Sequence, residues 1–323
     1  MNSRFRLLWI VLLATAIVVA PFFLYSGFLM KAFCMALFAC AFNLLLGYGG
    51  VMSFGHAAFF GCGAYLFGYF AKHQELGPFL SLSIATIGAG VLGIAFGLVA
   101  IKRSGIGFAM VTLALSQLVY FLTLQPPLSV YTRGEDGLQD IPRGVLFGVL
   151  DLSNSLTMYY VTAAIVVLAI LAIYRIVHSP FGDVLLAIRE NEARAVSLGY
   201  DTTHYKFGAF VLSALFSGLA GALKALVFQF AVLPDLSWHM SGEVVLMTLL
   251  GGIGTLVGPV LGAFLLTMIE SYVAEINFPA PVVLGVFFVV AVALFKRGIW
   301  GEWIHRRRAR LAGIPATSNE PSP

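Results

Sequence analysis

The chain has 323 residues, 60% of them hydrophobic and 11% charged, with a formal net charge of +4. A soluble domain carries roughly a quarter charged residues, so a compact globule of this length would lack the charge to solvate itself. Long apolar stretches recur along the whole chain, which excludes a soluble protein and makes lipid the solvent for most of it.

In chain order the first apolar run, 7–25, follows Arg4 and Arg6 and has the outline of a secretory signal. Its length, and Pro21 after Ala20 at the best cleavage point, favour a retained first helix. Further apolar segments fall at about 28–46, 51–70, 79–101, 106–125, 158–177, 206–232, 243–257, 259–273 and 281–295. The eighth and ninth are short and interrupted by glycine and proline, so they read either as two segments or as one broken or re-entrant element. The fold class is an all-α polytopic membrane protein with about 8–10 transmembrane segments. Cys34, Cys40 and Cys62 lie inside apolar stretches and read as small core residues, neither a disulfide framework nor a zinc site.

Lys and Arg set the orientation. With the N-terminus inside, fourteen of the 19 cations fall on the cytoplasmic side and four outside, and Lys224 is left in the membrane. Both termini are therefore expected in the cytoplasm. Residues 1–305 form the transmembrane domain, with an external loop at 126–157 and a cytoplasmic loop at 178–205. Residues 306–323 read as a basic, disordered cytoplasmic tail.

The cytoplasmic stretch Ser179–Gly199 reads SPFGDVLLAIRENEARAVSLG. Ser179 suits an N-cap, Pro180 the first helical position and Gly199 the C′ position. Phe181, Val184, Leu185, Ile188, Ala195 and Leu198 approximate one face, while Asp183, Arg189, Glu190 and Arg194 stand mostly opposite. Glu190 and Arg194 are spaced for an i, i+4 pair. A helix lying on headgroups favours Lys and Arg with aromatics. The balanced charge here favours a docking helix that offers an apolar face and charges to a cytoplasmic partner.

Two glycine-rich elements interrupt the apolar segments: GYGGVMSFGHAAFF from Gly47 and GGIGTLVGPVLG from Gly251. Each carries a Gly-Gly pair and a hydroxyl four places after its first glycine: Gly49, Gly50 and Ser53 in one, Gly251, Gly252 and Thr255 in the other. Glycines this dense weaken a helix. They serve either close helix packing or a break whose backbone faces a solute. Ser53 and His56 make the first element a pathway candidate, although a lone buried His is more commonly a hydrogen-bonded structural residue. Lys224 either snorkels outward or faces the pathway and pairs with Glu243 or with an acidic group on the solute. A mid-membrane charge costs at least ~2.5–3.5 kcal/mol on insertion scales.

No Gly-x-x-x-x-Gly-Lys-Ser/Thr occurs, so no P-loop for ATP is present. Metal-ligand spacing and a nucleophile–base pair are absent as well. The reading therefore contains no catalytic residue, metal, cofactor or nucleic-acid partner. Carboxylates inside the apolar segments are confined to Glu243, Glu270 and Glu275 near segment ends, which counts against a proton-coupled carrier.

The phrase AIRENEARAVSLGYD, followed by Lys206, resembles the coupling loop of M-type permeases of the branched-chain amino-acid ABC importers. Both glycine-rich elements, FAMVTLALSQLVY from Phe108 and TRGEDGLQDIP from Thr132 are similar to the same family, covering about residues 30–295. Two departures occur. The general Glu-Ala-Ala-x-x-x-Gly loop motif is displaced, with Ala193 where its glutamate belongs. The family usually has glycine where Arg133 and Asp140 stand, which bears on the conformation of the external loop. The resemblance implies ATPase coupling through Phe181, Asp183, Leu185, Ile188, Arg189, Glu190, Asn191, Glu192, Arg194 and Gly199. The glycine breaks and the charge within the membrane give as pathway candidates Gly49, Gly50, Ser53, His56, Lys224, Glu243, Gly252 and Thr255. Expected partners are an H-type permease, two cytoplasmic ATPase subunits and an external solute-binding protein in the inner membrane, with a branched-chain amino acid, a similar small amide or urea as cargo. The alternatives are a self-sufficient carrier or channel, or a scaffold subunit.

Overall fold

The structure is a computed structural model that describes residues 15, 17–146, 150–275, 280–294 and 298–302. Most of the first apolar run and the basic tail lie outside the described residues.

Helix α1 spans Ser26–Asn43 and continues through a wider π turn, Leu44–Tyr48. Its sequence is apolar on every side, which marks a helix surrounded by others, and nearly all of it is buried. Around it stand α2 (His56–His73), α3 (Pro78–Ala100), α4 (Gly105–Leu124), the short α5 (Leu128–Thr132) and α6 (Ser155–Val177). A two-stranded antiparallel hairpin, β1 (Val145–Leu146) and β2 (Leu150–Asp151), precedes α6. The later elements are α7 (Pro180–Glu190), α8 (Glu192–Ser197), α9 (Thr202–Phe228), α10 (Trp238–Gly251), α11 (Val257–Glu275) and α12 (Ala280–Leu294). By length and apolarity, five of the described helices are long enough to cross a membrane: α1 with its π turn, α3, α4, α6 and α9. The chain is an all-α polytopic membrane protein.

Small residues bring the central helices together. A Cβ on Gly63 of α2 would strike the backbone of Gly218 in α9, and one on Gly221 would strike the carbonyl of Phe60. One on Gly93 of α3 would lie 2.5 Å from the Cβ of Ala214. Such contact between backbones is how helices gain packing energy in lipid, where burial from water offers nothing. By contrast α4 buries only Phe108, Thr112, Ser116 and Thr123, a single stripe at helical spacing.

Several boundaries differ from the sequence reading. The third segment starts at His56, not 51, because Gly50 at φ +67° turns the chain and Gly50–Gly55 is extended or bent. The 206–232 segment runs Thr202–Phe228, started by Asp201, whose carboxylate accepts from the Thr203 and His204 amides. The eighth and ninth segments are two helices, packed so closely that a Cβ on Gly262 would strike the Met247 carbonyl. The 14 residues of α10 rise about 21 Å, short of the ~30 Å hydrocarbon core. The helix starts inside the bundle. After α9 the chain folds back through the turn Leu233–Leu236, which packs on Gly61 in the second turn of α2, and the Ser241 hydroxyl of α10 accepts the Ala57 amide at 2.9 Å.

The docking stretch is not one helix. Asn191 adopts an extended backbone (φ −157°) and its side chain caps α8 by accepting the Arg194 amide at 3.0 Å. This capping competes with helix continuation. The expected Glu190–Arg194 pair gives way to Glu192–Lys206 at 2.5 Å, which ties α8 to α9. Pro180 holds the first helical position and Gly199 (φ +88°) follows α8, but the Ser179 hydroxyl donates to Ile176 O and does not cap α7.

Candidate functional site

Two groups of candidate residues lie at opposite ends of the bundle: one beside Arg189 of α7, the other below the hairpin and the 126–157 loop.

At the Arg189 end the two glycine-rich elements touch. The π turn brings Gly47 so near the 252–256 loop that a Cβ on it would lie 2.8 Å from the Gly254 amide. Asn43 of α1 clamps that loop, donating to the Thr255 carbonyl at 2.7 Å and accepting the Gly254 amide at 3.0 Å. Arg189 reaches in from α7 and donates to the Gly47 carbonyl. Its side chain fills the space beside Gly50 and Gly254, where added Cβ atoms would come within 2.9 and 2.8 Å of it. Gly50, Gly252 and Gly254 have φ of +67°, +116° and +77°, which only glycine adopts without strain.

The shared hydroxyls perform one task. Ser53 Oγ accepts the Gly55 amide at 3.1 Å just before α2, and Thr255 Oγ1 accepts the Gly258 amide at 3.1 Å in the first turn of α11. Thr112 of α4 takes the Phe54 amide at 3.2 Å. Neighbouring side chains thus satisfy the Phe54, Gly55 and Gly258 amides at the breaks, while Gly50, Met52 and Ile253 are exposed. His56 is fully buried, its Nε2 2.8 Å from the Ser213 hydroxyl, with Phe42, Phe59 and Phe210 set edge-on around the ring. Ser213 in turn donates to the Ala41 carbonyl at 2.6 Å. Ser53 and His56 therefore sit in packed protein, Thr255 is half-buried just before α11, and Gly49 precedes the non-helical Gly50–Gly55 stretch.

On α7, Phe181 stacks on Tyr205 of α9, and Leu185 and Ile188 are buried against the bundle. The apolar face expected to meet a partner instead fastens the loop to its own protein. Exposed at this end are Leu186, Val196 and Leu198, beside Asp183, Glu190 and Arg194. Lys206, donating to Glu192, holds that carboxyl below its ordinary range.

The opposite end is a cavity of about 490 Å³, lined by α1, α9, the Leu233–Leu236 turn, α10 and α11. That volume falls within the roughly 300–1,000 Å³ typical of small-molecule sites. Lys224, one turn before the end of α9, lines it together with Glu243. The two are not paired. Lys224 donates to both oxygens of Asp235, at 3.0 and 2.7 Å, and its ammonium lies 4.3 Å from the centre of the Phe230 ring. Asp235 was not foreseen as a partner: it belongs to the folded-back turn, where its second oxygen also accepts the Val232 amide at 3.3 Å. Both members of the pair are more than nine-tenths buried. A second ion pair, Lys31–Glu270 at 3.1 Å, lines the same cavity. The loop above is tied down by Lys72 to Gln139 O (2.5 Å), Arg143 to Val227 O (2.7 Å) and a bridge between Leu138 and Ala231.

The bundle of lipid-length helices, the shorter α10 and the charged interior cavity define a polytopic α-helical membrane protein. The chain belongs to the family described as branched-chain amino acid transport system / permease component, whose profile matches residues 24–295. It is 28% identical over 280 residues to the high-affinity branched-chain amino acid transport system permease protein LivM of Salmonella typhimurium, a match covering 80% of this chain and 65% of that protein. LivM of Escherichia coli K12 matches with the same identity and coverage. The chain therefore spans about two-thirds, 65%, of the length of these curated relatives. The autoinducer 2 import system permease protein LsrC of Yersinia pseudotuberculosis is 34% identical over 110 residues, 32% of this chain and 31% of that protein. No solved structure matches the chain.

Proposed function

We propose that this chain is the M-type permease subunit of an ATP-driven importer that carries branched-chain amino acids, or similar small amino-acid or amide solutes, across the cell inner membrane. An H-type permease completes the pore, two ATPase subunits dock on the Arg189 end, and a solute-binding protein delivers cargo to the hairpin end. Both termini and the 178–205 loop then face the cytoplasm, and the 126–157 loop faces out. ATP is hydrolysed by the partner subunits, and this chain makes and breaks no bonds. Similarity to the two LivM proteins supports the class of cargo.

One observation carries the reading. Arg189 links the exposed α7–α8 segment to both glycine breaks at once, through the Gly47 carbonyl and the Gly254 turn. Movement of α7 by an ATPase is transmitted there to α1, α2, α10 and α11, whose ends meet at glycines able to absorb dihedral change. Leu186, Val196 and Leu198 supply the docking contacts. Gly49, Gly50, Ser53, His56, Gly252 and Thr255 act as the packed hinge of this lever, and Lys224 and Glu243 line the solute's route. The test is uptake of radiolabelled leucine into vesicles containing the complex that co-purifies with the tagged chain. The reading predicts uptake that requires ATP and falls sharply in Arg189→Ala with the complex still assembled. Uptake by the chain alone, without ATP, contradicts it and identifies a carrier or channel.

A further inference from the structure

A second space lies beside α10. A groove of about 700 Å³ runs along α4 from the Arg189 end, with Arg103 and the Glu192–Lys206 pair at its mouth and Met52, Phe54, Met110 and Leu113 on its walls. From Gly105 to Leu113 it climbs about 12 Å of a helix that rises about 30 Å. Trp238, 51% exposed, stands at its inner end. The flanking contacts put it there. Leu236 packs on Gly61 and the Ser241 hydroxyl accepts the Ala57 amide, so the start of α10 lies against the first two turns of α2, above the Gly50–Gly55 stretch.

The same turn of α10 closes the outer cavity. Ser237, His239 and Met240 line that cavity, while Trp238 between them lines the groove. The Trp238 and His239 rings lie 4.0 Å apart, tilted by 31°. Two spaces that enter the bundle from opposite ends therefore end on consecutive residues of one helix. The backbone decides what fills the groove. Gly50 and Met52 line it as exposed, non-helical chain, and α10 begins at its inner end with no side chain capping its first turn. The first amides of a helix have no partner within it, and irregular backbone at membrane depth persists only where protein or water meets its polar groups. Hydrocarbon leaves those groups unmet. Water meets them.

We propose that this groove is the cytoplasmic half of the solute's route and that Trp238 is the gate between it and the outer cavity. The assignment rests on the importer reading and adds the path and its barrier. The indole is a large, rigid group with two rotatable bonds, and half of its surface is free, so a change of rotamer opens or closes the passage. Helix α10 joins the gate to the joint: Trp238 is its first residue, and its last, Gly251, adjoins the Gly252–Gly254 turn beside Arg189. A shift of α7 there tilts a helix about 21 Å long and moves the indole at its other end.

The test uses the complex in membrane vesicles of both orientations, without ATP, and a small, charged, water-soluble thiol reagent. Such a reagent attacks thiolates, and a thiol in apolar surroundings stays protonated. Met110→Cys places a thiol at an exposed position on the groove wall. It should label from the cytoplasmic side, above the background of the unsubstituted chain, and stay unlabelled from outside. Adding Trp238→Ala should open it to the outside reagent. The same change should raise the ATP-independent leak of radiolabelled leucine about tenfold, the effect of a barrier lower by about 1.4 kcal/mol. Trp238→Phe should keep both closed. Unchanged cytoplasmic labelling of Met110→Cys shows that the Trp238→Ala variant is folded, and Trp238→Leu carries the same prediction if it is not. No labelling from the cytoplasmic side would mean that lipid or packed protein fills the groove, and a folded Trp238→Ala variant that stays sealed would place the barrier elsewhere. Either result overturns the assignment. ATP-dependent uptake with an unreactive Met110→Cys rejects the route and leaves the importer standing. The full labelling pattern with no ATP dependence of uptake keeps the gate and rejects the importer.

Discussion

The two ends of this bundle solve the same problem in opposite ways. Both place polar groups inside an apolar body. At the Arg189 end the polar groups are backbone, exposed by glycine breaks, and Asn43, Ser53, Thr112, Ser241 and Thr255 satisfy them within the chain. At the hairpin end they are charged side chains around an open cavity, and Glu243 and Glu270 Oε1 keep acceptor capacity. Side-chain bonds that span the breaks suit a joint, and charged groups around a cavity suit a ligand. The difference places mechanical work at one end and solute recognition at the other in the proposed importer.

The largest effect expected is at the cavity. Asp235→Ala leaves Lys224 buried without a counter-charge and should cost about 3–5 kcal/mol of stability, read as a lower thermal midpoint in detergent. Pairing it with Lys224→Met should recover most of the loss. A mild effect of Asp235→Ala alone would mean that Lys224 reaches water, and the contrast between the ends would weaken. Next comes the hinge: His56→Ala and Ser213→Ala should each cost about 1–3 kcal/mol, and their double variant little more than one of them. Solute preference in these variants should be unchanged. A changed preference would move His56 from the joint to the route.

Two smaller effects sharpen the picture. Arg133 and Asp140 stand where the resembling family has glycine, and both adopt left-handed backbone, with φ of +59° and +56°. A non-glycine residue in left-handed backbone carries strain. Arg133→Gly and Asp140→Gly should therefore each stabilise by roughly 0.5–1 kcal/mol in the same melting assay. The smallest concerns Glu192, whose carboxyl is held below the ordinary range chiefly by the hydrogen bond from Lys206. A depressed carboxylate stabilises fully above its unfolded pKa, and that contribution disappears as pH falls through the folded value. With its carboxylate exposed, this pair is worth less than about 1 kcal/mol, so Glu192→Gln should flatten only the acid limb of a pH–stability curve.

Local signals in the sequence were reliable where packing merely accepted them. Apolar runs at 79–101, 106–125 and 158–177 match Pro78–Ala100, Gly105–Leu124 and Ser155–Val177 within a few residues. Pro180 starts a helix and Gly199 takes left-handed backbone, as read. The family pattern was legible too, because its motifs are short and contiguous. What escaped depends on distant partners. Lys31 and Glu270 are 239 positions apart, and no periodicity announces that they meet. Asp235 sits in a stretch that reads as a loop beyond the end of a segment, and only the fold-back onto Gly61 carries it to Lys224. Asn191 looked like a polar position on one long helix. Its side chain could bond the backbone ahead, and that local competition divided the helix.

The orientation of the chain is the premise that both ends share, and cysteine accessibility in living cells tests it most directly. Val196→Cys in α8 and Ser153→Cys after the hairpin lie at opposite ends, and both positions are exposed. With a membrane-impermeant maleimide, Ser153→Cys should label in intact cells and Val196→Cys only after the membrane is opened. Labelling of Val196→Cys in intact cells would put the Arg189 lever outside, beyond reach of any cytoplasmic ATPase, and contradict the account.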